Sequence, residues 1–180
     1  MVNKDKTLKR AENQWVSLTQ TLSSQWREKG WIGEEAFFCM IRHLITVSVE
    51  LIPIRRRLDS SVEILFLDRG EDSFEEFAHK LHTPGGKLVV PGDTVESVIA
   101  KIIDKEIGCP CSQLTTMPWA VGGSTRGYEV LLPVLVEVEG EPVNGEWINI
   151  DDVKIMASKD RIILVQYNAF LASAIEYLRV

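Results

Sequence analysis

The residues best suited to chemistry lie between Thr83 and Gly108. A Thr83-Pro-Gly-Gly-Lys87 turn leads through a short extended stretch into a helical pattern ending in Asp104-Lys-Glu-Ile-Gly108. Lys87 and Lys101 carry ammonium groups able to contact phosphate. Lys101 can equally pair with a loop carboxylate and fix the helix to the Gly85-Gly86 turn. Glu106 is either a carboxylate ligand for a hard divalent cation or a surface acid near a helix end. A second glycine-rich stretch, Gly122-Gly-Ser-Thr-Arg-Gly127, is either a hairpin connection or a loop touching phosphate through backbone N–H groups and Arg126. Further carboxylates follow at Glu129, Glu137, Glu139 and Glu141. The alternation of Glu137 and Glu139 with apolar neighbours is also what an exposed strand face produces. His82 precedes the turn, facing a pocket or bonded at the surface. Nothing has the spacing of a Ser-His-Asp or Cys-His nucleophile system.

The elements that must hold these groups can be read from periodicity. A helix is expected over 94–107, with Asp93 as N-cap and Glu96 completing a capping box. Val95, Val98, Ile99, Ile102 and Ile103 form its apolar face, and Gly108 stops it. Strand character begins at Leu44 and runs to Ile54, where Pro53 argues for an edge or a strand end. Val62–Asp68 is the next strand, and two short extended pieces flank the Gly-Gly turn. After a loop around Pro110 and Pro118 come Tyr128–Val138, a long buried strand, and Gly145–Ile150. A terminal helix over about 160–178 places Ile163, Tyr167, Phe170, Leu171, Ala174 and Leu178 on one side. Before all of this, residues 7–28 carry a stripe of Leu8, Ala11, Trp15, Leu18, Leu22 and Trp26, and a second helix is expected over 34–43. That gives an N-terminal helical extension, 1–43, and a main domain, 44–180. The extension is either a cap packed on its own domain or a surface for dimerisation or a partner. The element order suggests a mixed sheet with helices on both faces, an α/β/α sandwich.

The stretch from Gly86 to Gly108 resembles the Nudix box, a Gly, five residues, a Glu, seven residues, then Arg-Glu-apolar-x-Glu-Glu-x-Gly-apolar. Asp93 stands for the first Glu, after six residues rather than five, and Lys101 takes the Arg position. Ile102 and Lys105 replace two glutamates, while Glu106 and Gly108 match. Keeping five residues after Gly86 puts Gly92, Ala100 and Ile107 in the Glu, Arg and Gly slots, a worse fit, so the extra residue is assigned near Pro91. Glu146-Trp147-Ile148 and the acidic start at Asp151-Asp152 resemble the late part of Nudix domains. The resemblance covers roughly residues 44–180.

The resemblance implies a nucleotide or related pyrophosphate ligand, with Gly85, Gly86, Lys87, Lys101 and Arg126 as substrate contacts. It implies Mg²⁺ or Mn²⁺, bridging the pyrophosphate and activating water, with Glu106 as catalytic residue and Glu106 and Asp93 as remaining metal ligands. One box carboxylate beside an ammonium is a poor cation site. The first reading is therefore a Nudix-fold protein of the nucleoside-diphosphate-X hydrolase family that binds a nucleotide or pyrophosphate with weak or absent hydrolysis. Two alternatives stand beside it: an active pyrophosphohydrolase using acids outside the box, and an interaction domain working through the N-terminal helix.

Composition bounds these readings. The chain has 180 residues, 45% hydrophobic and 26% charged, as in a soluble globular protein. Its net charge of −6 disfavours non-specific nucleic-acid binding. No apolar run is long enough to span a bilayer, and no signal-peptide core follows the basic N-terminus. Cys39, Cys109 and Cys111 make neither a disulfide framework nor a four-ligand zinc site. They are expected to be reduced, in a cytoplasmic protein, with a homodimer as one expectation for assembly.

Overall fold

In the computed structural model the described residues are 46–71, 77–88, 93–124 and 127–179, together with positions 9, 17, 20, 21 and 24. Those five isolated positions are helical, but the expected helices over 7–28 and 34–43 otherwise lie outside the described residues, as do Cys39 and Arg126. The chain divides into two compact units, Met1–Leu44 and Ile45–Val180.

The second unit is built on a mixed eight-stranded sheet. Its strands are β1 (Thr46–Arg56), β2 (Val62–Asp68), β3 (Leu81–His82), β4 (Gly85–Lys87), β5 (Cys111–Thr116), β6 (Ala120–Ser124), β7 (Gly127–Val138) and β8 (Glu146–Asn149). The main path runs β3-β2-β1-β7-β5, with β4 on β1, β6 on β7 and β8 on β2. β1 and β7 pair in parallel from Thr46↔Glu129 to Ile54↔Glu137, and the remaining pairs are antiparallel.

Helices cover both faces. On one side lie α1 (Val95–Ile102) and the π-helical turn Ile103–Ile107. Their Val98, Ile99, Ile102 and Ile107 pack with Val49, Leu51, Leu65, Val134 and Val136 of the sheet. On the other lie α2 (Ile150–Ser158), α3 (Leu164–Gln166), a second π turn (Tyr167–Leu171) and α4 (Ala172–Leu178). Val153, Phe170, Leu171 and Ala174 from these pack with Ile52, Ile64, Phe66 and Leu135. The architecture is the expected α/β/α sandwich. Because both faces are covered, every residue from Ser48 to Ile54 is buried.

Several local expectations are corrected. β1 is central, and Pro53 lies inside it. The Leu51 N–H donates to the Pro84 carbonyl at 2.8 Å, so alternate residues direct their nitrogens to the β4 side. Pro53 therefore faces the gap between the β4 ladder, which ends at Glu50, and the β2 ladder, which begins at Ile54. Its missing donor costs no ladder bond there. The box helix is capped by Thr94, not Asp93. Thr94 Oγ1 accepts from Ser97 N at 3.2 Å and Ser97 Oγ from Thr94 N at 2.9 Å, so Ser97 replaces Glu96 in the box. β5 and β6 arise from a segment read as loop, and the final helix is preceded by a separate α2, whose N-cap Asn149 accepts from Asp151 N. Asp160, at φ +58°, separates that helix from the terminal ones.

Candidate functional site

Gly85 and Gly86 are pressed between two layers. A Cβ on Gly86 would lie 3.2 Å from Val98 Cγ1 and 3.3 Å from Ile102 Cγ1, on the α1 side. On the opposite side, a Cβ on Gly85 would lie 2.7 and 2.8 Å from the two carboxylate oxygens of Glu50. Successive side chains of a strand point to opposite faces, so the glycine pair lets both layers close on the backbone of β4.

On the α1 side, Ile102 is 3% exposed and belongs to the apolar core. One turn later Glu106 reaches the same strand, where its Oε2 accepts the Gly85 N–H at 3.3 Å. Burial raises the Glu106 pKa, against the Gly85 hydrogen bond and the positive charges of Arg69 and Lys105. The helix end carrying it is not α-helical. The Gly108 N–H reaches the Ile103 carbonyl at 2.7 Å and Gly108 takes φ +73°. A π turn takes up one residue more than an α turn, so the helix end itself provides room for an additional residue. The turn is tied to the loop before β8 by the Val143 N–H, which donates to the Ile107 carbonyl at 2.9 Å.

Lys105 and Glu106 line a cavity of about 600 Å³ with Asp68, His82, Glu146 and Arg161. The lining holds carboxylates and cations in comparable number. Arg161 and Glu146 lie 3.8 Å apart and are both largely exposed, a loose pair that a ligand can separate. His82 Nδ1 lies 2.7 Å from the Thr83 carbonyl. Sequence reasoning had singled out His82 and Glu106 but gave no role to Asp68, Glu146 or Arg161 in a pocket. They come from separate elements, and only the sheet register brings them together.

The remaining sequence candidates do not line this cavity among the described residues. Lys101, in the last turn of α1, forms an ion pair at 2.7 Å with Asp93, a loop carboxylate ahead of the helix, as one of the two readings expected. Lys87 pairs with Glu129 and also donates to Thr46 Oγ1 at 3.2 Å, joining β4, β1 and β7. Gly122 and Gly123 form the β6–β7 hairpin, opposite Glu129 and Tyr128. Arg126 lies outside the described residues.

A group missed in the sequence lies behind the turn. Glu50 is buried, and its Oε2 accepts from Thr83 Oγ1 at 3.0 Å and Gln166 Nε2 at 2.9 Å. Gln166 Oε1 in turn accepts the Thr83 N–H at 3.1 Å. Desolvation dominates at Glu50 and pushes its pKa up to about 8, so the group is mainly neutral at pH 7.

The donor set does not fit the Mg²⁺ or Mn²⁺ cluster that the resemblance implies. Among the described residues no three His, Cys, Asp or Glu side chains are grouped so as to hold a metal ion. Ile102 is sealed in the core, Lys105 brings positive charge to the cavity wall, and Asp93 is engaged by Lys101. Among the described residues, no helix is long and apolar enough to cross a membrane, and Cys109 and Cys111 are free thiols.

No protein-family model matches the chain, and none of the curated proteins matches it. Solved structures do. A Nudix hydrolase from Nitrosomonas europaea superposes with a TM-score of 0.52 at 16% identity, covering 68% of this chain and 84% of the other. A possible asymmetric diadenosine tetraphosphate hydrolase from Jonesia denitrificans gives 0.51 at 18% identity, with 66% and 84% covered. The Nudix domain of Shewanella oneidensis NrtR, solved with ADP-ribose, gives 0.51 at 13% identity, with 73% and 86% covered. The chain has the fold of the Nudix hydrolases.

Proposed function

We propose that this domain binds a nucleoside diphosphate or a related pyrophosphate compound in the cavity beside Glu106, with weak or no hydrolysis. The observation carrying this reading is the cavity wall itself. Lys105 stands where the box would place a second carboxylate, and Arg161 and His82 share the lining with Asp68, Glu106 and Glu146. The ammonium and guanidinium groups suit phosphate oxygens, whereas the carboxylates accept hydrogen bonds from ribose hydroxyls or base amino groups. The fold supports the ligand class, since one similar structure carries ADP-ribose and another is described as a diadenosine tetraphosphate hydrolase.

The test is a thermal-shift and calorimetry series with ADP, ADP-ribose and diadenosine tetraphosphate, with and without EDTA. A ligand present at a hundred times its Kd stabilises the fold by about 2.7 kcal/mol, an easily read shift. Stabilisation that survives EDTA and disappears in Lys105→Glu and Arg161→Ala supports the binding reading. Asp68 and Glu146 favour a second reading, because they bring acids from outside the box to the same cavity as Glu106. Turnover in Mg²⁺ or Mn²⁺ that is lost in Glu106→Gln, Asp68→Asn or Glu146→Gln would replace the first reading with that one.

A further inference from the structure

The sheet ends on β5 and β6, which among the described residues pair with β7 alone and leave their other edges open. Natural edge strands are guarded against further pairing by charges, prolines, bulges or a covering element. β5 carries a register shift between Cys111 and Gln113, whereas the β6 ladder is regular. No residue from Ile107 to Thr125 is charged, the longest such stretch in a chain that is 26% charged. The Met117 N–H donates to the Pro133 carbonyl at 2.9 Å, so the odd-numbered peptide groups of β7 face this end of the sheet. Ala120 and Gly122, opposite Leu131 and Glu129, turn their main-chain groups toward β7, and those of Val121 and Gly123 point outward.

The side chains at this edge are exposed as well. Ala120 packs on the core beneath the terminal helices, and a Cβ on Gly122 would lie 3.3 Å from Val165 Cγ1. The alternate positions Trp119, Val121 and Gly123 therefore share the opposite face. Trp119 is 67% exposed, Val121 59%, and Tyr128, opposite Gly123, 69%. The Tyr128 ring leans over Gly123, where a Cβ would meet it at 3.2 Å. A large, a medium and an absent side chain thus follow one another along the edge. Reversed and laid against itself about Val121, this series sets each Trp119 against a Gly123, beside a Tyr128 ring. We propose that a second copy of this chain pairs antiparallel on this edge through its own β6. Val121 then lies opposite Val121 of the partner subunit, and Trp119 lies over Gly123 of the partner subunit, against Tyr128 of the partner subunit.

Charge favours the same occupant. Each copy carries a net charge of −6, so two copies repel one another least where neither presents a charged side chain. The pairing is isologous and closes at two subunits. It gives partners to the outward main-chain groups and covers the exposed aromatic rings. One short strand pair with two aromatic contacts is at the small end of specific interfaces, so dissociation in the micromolar range is expected.

Sedimentation equilibrium of the full chain tests the pairing. At about 100 µM the parent protein is expected to approach twice the chain mass. Val121→Lys sets two ammonium groups face to face on the axis and is expected to stay at the monomer mass with an unchanged circular dichroism spectrum. Val121→Pro is the second disruptive variant, because the N–H it removes points away from β7. Val121→Cys reads the register. Hydrogen-bonded antiparallel neighbours stand about 5.5 Å apart at Cα, within disulfide range. Oxidation with glutathione disulfide is therefore expected to give this variant a reducible covalent dimer that the parent protein does not form. A parent protein of monomer mass, a dimer that persists in both Val121→Lys and Val121→Pro, or no cross-link in Val121→Cys overturns the proposal. In a monomeric parent protein, slow hydrogen exchange of the Val121 and Gly123 amides would assign the edge to a segment of the same chain, and fast exchange to a partner of another kind.

Discussion

The two faces of β4 reverse what a metal-dependent pyrophosphatase would need. On the α1 face, where the box motif calls for acids, Ile102 and Val98 close over Gly86 and only Glu106 remains, bonded to the backbone. On the opposite face, which a sandwich fills with apolar side chains, a carboxyl lies against Gly85 among Thr83 and Gln166. The difference shows that the strand between them, rather than the helix, is the element whose fit both sides depend on. The helix face over Gly86 is closed. It is packed with apolar groups, while the polar chemistry near the turn sits behind it and at the cavity edge.

The strongest way to break this contrast is to return an acid to the apolar face. Ile102→Glu is expected to destabilise the fold by about 3–4 kcal/mol in urea unfolding, because the carboxyl enters a sealed core without a partner. An Ile102→Glu, Lys105→Glu pair is therefore expected to lose stability before it gains a cation site, and Mn²⁺ titration of the variant checks this. On the other face, Gly85→Ala is expected to cost about 2–3 kcal/mol, because the methyl would press on the Glu50 carboxyl. Adding Glu50→Ala should recover part of that loss, a coupling readable in a double-mutant cycle.

A pH series sharpens the contrast further. The folded pKa of Glu50 lies at about 8, above its ordinary value of 4.5. The unfolded chain thus binds fewer protons between those values, and stability falls as pH rises across that window. The contribution is intact below pH 4.5, falls by a few kcal/mol in principle, and levels off above pH 8. Urea midpoints for Glu50→Gln are expected to lack this slope. The smallest effect concerns the helix start, away from both faces: Thr94→Ala should cost about 1 kcal/mol, measured by the same unfolding series.

The layered fold was legible because its signals are long and periodic. The apolar stripe of Val95, Val98, Ile99 and Ile102 shows a buried helix, and the run from Val47 to Ile54 shows a strand. Glu50 was not legible. Val47-Ser-Val-Glu-Leu51 alternates as a half-exposed strand does, and nothing local says that the C-terminal helices cover the Ser48 and Glu50 face. Gln166 reads as a solvent-facing helix residue until the fold brings it to Thr83. β5 escaped because Cys-Ser-Gln-Leu-Thr-Thr lacks a clear alternation, and β6 because Gly122 and Gly123 read as loop. The cavity was only half visible: Glu106 stood out in the motif, whereas Asp68, Glu146 and Arg161 carry no spacing signal linking them to it.

The hydrogen bond from Val143 to Ile107 has a mechanical consequence. Just beyond Val143, Asn144, Gly145 and Glu146 form the far side of the recess, and just before Ile107, Lys105 and Glu106 form the near side. Gly108 leaves no slack at this joint, since even a methyl there would sit 2.5 Å from a Val143 carbon. Near and far sides are therefore hinged on one peptide contact, and lengthening or shortening the π turn by a residue would displace both together, altering the width of the recess without touching any group that lines it.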